Sequence, residues 1–250
     1  MKVYKLVVAY DGTDFHGWQR QPAGRTVQGA LEDALFQVTQ KRVAVHGAGR
    51  TDAGVHAAGQ VASFRAVLKL DDAVLSRALN AVLPDDVRVL SLEPAPPDFH
   101  ARKSAVSKTY EYRVVTSRLI SPFDFRFALH HPAKLHLAAM RRAAALFVRE
   151  ADFSAFTSNR EYDPVRRVTR SELRRRGDLL IYAVEAEGFL QYMVRTIVGT
   201  LLEVGRGKLP PEAVETIFAA RDRALAGPTA PAKGLCLVRV EYRAGEGRSR

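Results

Sequence analysis

Between His46 and Gln60 the chain places four glycines, Gly47, Gly49, Gly54 and Gly59, around the run Gly49-Arg50-Thr51-Asp52-Ala53-Gly54. Glycine at that density marks backbone that needs unusual dihedrals or must let another group come close, and Asp52 stands in its middle. An aspartate with an ordinary pKa of about 3.9 is ionised at neutral pH, and Arg50 two residues earlier favours the charged form. Such a carboxylate needs no activating base to attack carbon. The loop has no second acid, so it lacks the acid and nucleophile pair of a glycosidase and leaves room for one covalent role. On composition alone the default alternative is a tight turn whose aspartate bonds its own backbone.

Further along, Tyr110 and Tyr112 share one face of an alternating segment, where either ring can offer a surface for a nucleobase to stack on, worth about 1–3 kcal/mol per base; ordinary sheet packing is the alternative, and spacing does not choose between the two tyrosines. Arg195 lies in an apolar run, Phe189 to Gly199. Buried there, its guanidinium requires a carboxylate partner; on the polar side with Gln191 and Thr196 it is solvated, and periodicity favours the second. His16, His46 and His56 match no compact metal-ligand spacing, so no metal site is expected. Gly205-Arg206-Gly207-Lys208 lacks the spacing of a phosphate loop and follows a helix, so it reads as a helix C-cap. The single cysteine, Cys236, in an apolar setting, excludes an intrachain disulfide and a cysteine-rich zinc site and reads as a buried, inert thiol.

These residues need elements to hold them. Val3 to Tyr10 reads as a strand and Asp11-Gly12-Thr13 as a turn. Thr26 is placed to cap a helix whose apolar face is Val27, Ala30, Leu31, Ala34, Leu35 and Val38. Strands are expected at Arg42 to Gly47 and Gly59 to Val67, a helix at Asp71 to Leu83 and a strand at Asp86 to Leu92. The cluster Pro94-Ala95-Pro96-Pro97 marks the end of a first half, 1–105. In the second half, 106–250, the pattern gives strands at Lys108 to Thr116, Val165 to Arg175, Asp178 to Glu187 and Leu235 to Tyr242. Helices are expected at Leu135 to Val148, Phe189 to Val204 and Pro211 to Ala220. Hairpin-like neighbours among interspersed helices favour an α+β fold with mixed or antiparallel sheets over a doubly wound one. A strand, a short turn with Gly and Phe, and a helix recur in each half, which suggests that the two halves are related.

With 250 residues, 47% hydrophobic and 26% charged, the chain can bury a sizeable core. No apolar run approaches the roughly 18 residues of a membrane span, and the opening residues carry no signal-peptide core, so a cytoplasmic protein is expected. The net charge is +11, of which residues 1–105 carry +2 and residues 106–250 carry +9. That excess points to a polyanionic partner, nucleic acid before a membrane surface, with the phosphate contacts concentrated in the second half. A noncatalytic RNA-binding module is the competing class, but such a module does not need the Arg50-Thr51-Asp52 loop.

Several motifs in order, Tyr10-Asp11-Gly12-Thr13 with Gly17-Trp18-Gln19, Thr26-Val27-Gln28, Gly49 to Ala57, Phe99-His100-Ala101-Arg102, Lys108-Thr109-Tyr110-Glu111-Tyr112, Met193-Val194-Arg195 and Thr229 to Leu235, resemble the TruA family of tRNA pseudouridine synthases over nearly the whole chain. The resemblance implies a pseudouridine-synthase-like fold with a central catalytic cleft and isomerisation of uridines at tRNA positions 38, 39 and 40. It makes Asp52 the nucleophile, Tyr110 the residue that contacts and stacks on the target base, Arg195 the partner of the catalytic carboxylate, and Arg50 a hold on the flipped nucleotide. It also implies a homodimer and no metal or organic cofactor. The chain departs from the family pattern at Glu187, where asparagine is common, and at Gln191-Tyr192, where histidine is common.

Overall fold

A computed structural model describes residues 1–159 and 162–243. In chain order the elements are β1 (Lys2–Tyr10), α1 (Val27–Thr39), β2 (His46–Gly47), β3 (His56–Ala66), α2 (Asp72–Val82), β4 (Val87–Ala95), β5 (Ala105–Val115), β6 (Leu129–His130), α3 (Leu137–Ala145), β7 (Glu150–Asp152), β8 (Val165–Arg176), β9 (Leu179–Ala186), α4 (Met193–Gly205), α5 (Ala213–Ala220) and β10 (Leu235–Tyr242), with three short 3₁₀ turns. The pairings are antiparallel for β1 with β3 and β4 and for β8 with β7 and β9, and parallel for β5 with β6, so the fold is α+β with mixed pairing.

The chain forms two compact units, Met1–Lys108 with Leu237–Arg250, and Thr109–Cys236. A linear cut at 105/106 does not contain the return of β10 to the first unit. That return has a packing reason: Gly59 on β3 lies so close to β10 that an added Cβ would stand 2.5 Å from the Val238 carbonyl oxygen, and the Tyr242 hydroxyl donates to the Ala101 carbonyl at 2.8 Å.

In the first unit the strand order is β4-β1-β3-β10, with β2 paired to β3. Thr26 caps α1 by accepting from the Gly29 N–H, and Val27, Leu31, Ala34 and Leu35 are buried beneath it, as helical spacing predicts. Asp71 caps α2 in the same way, and Leu75 and Leu79 are its buried face. The strand expected from Arg42 shrinks to His46–Gly47 because α1 takes the backbone groups ahead of it. The Val45 N–H donates to Glu32 Oε1 and the Val45 carbonyl accepts from Gln28 Nε2, both at 3.1 Å.

In the second unit β5, β9, β8 and β7 follow one another. Phe147, Phe153, Phe156 and Phe218 build an aromatic core with ring centroids 5.0–5.9 Å apart, geometry in which edge and tilted contacts are favoured. Helix α4 starts at Met193, four residues later than the apolar run suggests, because Tyr192 has φ 62° and interrupts the helical path. From there it is buried nearly all round, as an apolar circumference demands. Helix α3 ends at Ala145, since Leu146, Phe147 and Val148 tighten into bonds three residues back. The glycine-rich end of α4 is a C-cap as expected, with Arg206 at the cap and Gly207 at φ +74°. Cys236 is half-buried on β10, not fully buried as expected, because strand alternation gives the fully buried position to Leu237. No helix among the described residues is long and apolar enough to cross a membrane.

Candidate active site

The loop that carries Asp52 is shaped from three sides within the first unit. At its start, the Ala48 N–H donates to the Val61 carbonyl at 2.7 Å, and Gln60 Nε2 donates to the Gly49 carbonyl at 2.9 Å. In the middle, the Thr51 carbonyl accepts from the Trp18 N–H at 3.0 Å, and the Thr51 hydroxyl bonds the Tyr10 hydroxyl at 2.8 Å. The loop then turns back on itself, the Val55 N–H donating to the Asp52 carbonyl at 3.1 Å and the Gly54 N–H to the Phe15 carbonyl at 3.2 Å. Asp52 is half-buried between buried Thr51 and exposed Ala53, and Arg50 is exposed.

The residues just after β1 are the template for this loop. A Cβ on Gly12 would lie 2.0 Å from the Val55 carbonyl oxygen; one on Gly17, which also has φ +89°, would lie 2.6 Å from the Thr51 carbonyl oxygen. Only glycine permits both approaches. The spacing Asp11-Gly12 and Gly17-Trp18 is therefore the imprint of the Asp52 loop on a distant stretch of sequence, a signal that the isolated residues do not reveal.

His56 Nδ1 accepts from the Gly12 N–H at 3.0 Å. A backbone N–H has a fixed proton, so this nitrogen is an acceptor and the ring proton sits on Nε2. Asp11 Oδ1, 3.2 Å from the same nitrogen, accepts instead from the Thr13 N–H and hydroxyl at 3.0 and 2.6 Å. The other two histidines lie elsewhere: His16 beside Gly24, and His46 against His100 with ring centroids 5.0 Å apart. Burial lowers the His100 pKa, and His46 and Lys103 lower it further.

In the second unit the two tyrosines that spacing could not separate take different places. Tyr112 is fully buried, donates its hydroxyl to the Pro231 carbonyl at 2.8 Å, and is held protonated by burial. Tyr110 sits at 7% exposure, edge-on to Phe189 at 5.2 Å between ring centroids. Arg195 is neither deeply buried nor solvated. Its Nε donates to the Ala230 carbonyl at 2.7 Å, the Ala230 N–H donates back to the Arg195 carbonyl at 3.0 Å, and its guanidinium lies 5.1 Å from the Tyr192 ring centroid. The stretches Met193 to Arg195 and Thr229 to Leu235 thus hold each other, and α4 approaches so closely that a Cβ on Gly199 would stand 1.6 Å from the Pro228 carbonyl oxygen. Tyr192 is the ring under that guanidinium, while Glu187 is largely solvent-exposed and 3.8 Å from Arg167.

A family model described as tRNA pseudouridine synthase matches residues 6–102 and 143–243, stretches that include the Asp52 loop and Arg195. The chain belongs to the tRNA pseudouridine synthase family. Its relatives include the tRNA pseudouridine synthase A of Geobacillus kaustophilus, 46% identical over 95% of this chain and 93% of that protein. That of Methylacidiphilum infernorum is 46% identical over 96% and 95%, and that of Moorella thermoacetica 44% identical over 97% and 100%. In this member of the family Tyr110 lies between the two matched stretches. Lys108, Tyr10 and Thr51 stand in motifs that the sequence offered without a role for them, and Gln60, which bonds Gly49, lies outside those motifs.

Proposed function

We propose that the protein isomerises uridines at positions 38, 39 and 40 of the tRNA anticodon stem-loop to pseudouridine, with Asp52 as the nucleophile. The observation that carries this reading is the half-buried aspartate on a loop fixed at Gly49, Thr51, Asp52 and Gly54 by hydrogen bonds, in a chain of this family. The reaction breaks the bond from ribose C1′ to uracil N1, turns the base, joins C1′ to C5, and moves the C5 proton to N1. Atoms and electrons balance without a redox partner, and the proposal includes neither metal nor organic cofactor. Asp52 acts by attack on C1′, by attack on C6, or by promoting deprotonation of the sugar. The target base must first leave its stack, at a cost of a few kcal/mol that phosphate contacts and the ring of Tyr110 offset. Arg195 is assigned to the support of the reacting carboxylate and Arg50 to the flipped nucleotide.

The test is to incubate the protein with unmodified tRNA transcripts, without added metal or nucleotide, and map pseudouridine by position. Modification at 38, 39 and 40 that is abolished in Asp52→Asn, with tRNA affinity held within about threefold, supports the reading. Turnover in that variant, or binding with no modification by the native protein, overturns it; the second result is what a noncatalytic RNA-binding module gives. The protein is assigned to the cytoplasm, as a homodimer. Leu119, Phe123 and Phe125, exposed at 80, 89 and 55%, supply an apolar surface that a second copy would cover. Phe123→Asp should then sediment as a monomer.

A further inference from the structure

The buried lysine at the foot of the Asp52 loop has no part in the reaction as described above. Lys108 is 9% exposed, and its Cε and Cδ lie 3.4 and 3.5 Å from the point where a Gly49 Cβ would stand. Gln60, 0% exposed, donates to the carbonyl of the same glycine, while Gln60 Oε1 is buried without a hydrogen-bond partner among the described residues. Two buried polar side chains therefore converge on the first residue of a loop whose fourth residue is the aspartate. Three residues of chain span at most about 11 Å, a distance over which charge is felt in a partly buried site. A buried ammonium is costly, and burial, with Arg102 beside it, lowers the Lys108 pKa.

We propose that Lys108 is the positioning residue of the Asp52 loop, its ammonium fixing Gly49 to Asp52 in place together with Gln60 and favouring the ionised aspartate. The inference rests on the assignment of Asp52 as nucleophile. Other charged or titratable groups also surround the loop. Arg50 lies within it, and Tyr10 bonds Thr51. Asp11 and His56 stand at its far end, and Arg102 is the further cation near Lys108. Arg50 and Arg102 act in the same direction as Lys108 and Asp11 in the opposite one, so removing Lys108 weakens the cationic field without abolishing it.

The experiment measures single-turnover pseudouridine formation from pH 4 to 8.5, tRNA affinity and thermal unfolding for the native chain, Lys108→Met and Lys108→Arg. At an effective dielectric constant of about 20, a unit charge about 11 Å away is worth about 1.5 kcal/mol, which corresponds to about one unit of carboxyl pKa. The Met variant should lose at least about tenfold in rate at neutral pH through a displaced loop. Its acidic limb should move up by about one unit, with tRNA affinity within about threefold. The Arg variant should keep the limb at its native pH. A Met variant with native rate, or with a lowered rate whose limb does not move, overturns the inference. If the Met variant does not fold, the Arg variant decides, and a displaced limb there overturns it. A native chain that forms no pseudouridine instead sinks the underlying functional reading, so the two failures are distinct.

Discussion

Replacing Gly17 by alanine tests whether the turn after β1 sets the position of the nucleophile. The substitution has two costs. At φ +89° an L residue is strained by about 1–2 kcal/mol, and the new Cβ would stand 2.6 Å from the Thr51 carbonyl oxygen and 3.2 Å from both Asp52 C and Ala53 N. To recover van der Waals distance, the backbone at Thr51 and Asp52 must retreat by roughly 0.6–1 Å. A misplacement of that size costs up to about a hundredfold in rate, so a loss of 10- to 100-fold is expected. Gly177→Ala separates the two costs: Gly177 has φ +57°, and among the described residues nothing lies within 4 Å of an added Cβ. It carries the strain without the displacement and should lower the melting temperature by roughly 2–8 °C with a native rate. The assay is single-turnover pseudouridine formation on a tRNA transcript, with affinity measured in parallel. If Gly17→Ala turns over as fast as Gly177→Ala, the template argument is wrong.

Gly199→Ala, whose Cβ would meet the Pro228 carbonyl oxygen at 1.6 Å, should push the segment 228–231 off α4 and release the Arg195 anchor at Ala230. A loss of stability above about 2 kcal/mol is expected, and a melting curve like the native one would contradict it. tRNA affinity should fall steeply with salt, by at least about tenfold between 50 and 200 mM, through counterion release; a flat response in filter binding speaks against phosphate contacts by the basic second half. Arg149 bonds Glu215 at 2.8 and 2.5 Å and holds that carboxyl below the usual range. A lowered carboxyl pKa gives stability that is present above about pH 4.3 and lost as pH falls through the lowered value. The half-exposed pair contributes under about 1 kcal/mol, so the stability difference between the native chain and Arg149→Met should hold from pH 5 to 7 and vanish on further acidification in denaturant titrations.

The sequence by itself located the α+β pattern, the cap of α1, the glycine-rich Asp52 loop and the excess of charge in the second half. All of these are local or summed properties: a period, a capping side chain, a cluster of glycines, a count of charges. Two of its errors show what pattern leaves out. The strand expected at Arg42 failed because side chains of α1 claimed the Val45 backbone, and α4 began late because Tyr192 took a left-handed conformation. The choice between Tyr110 and Tyr112, the intermediate place of Arg195, and the convergence of Gln60 and Lys108 on Gly49 were likewise decided only in three dimensions. Each depends on which distant backbone group lies within hydrogen-bond or van der Waals reach. Such proximity is set by the packing of strands and helices far apart in the chain, and periodicity and spacing do not encode it.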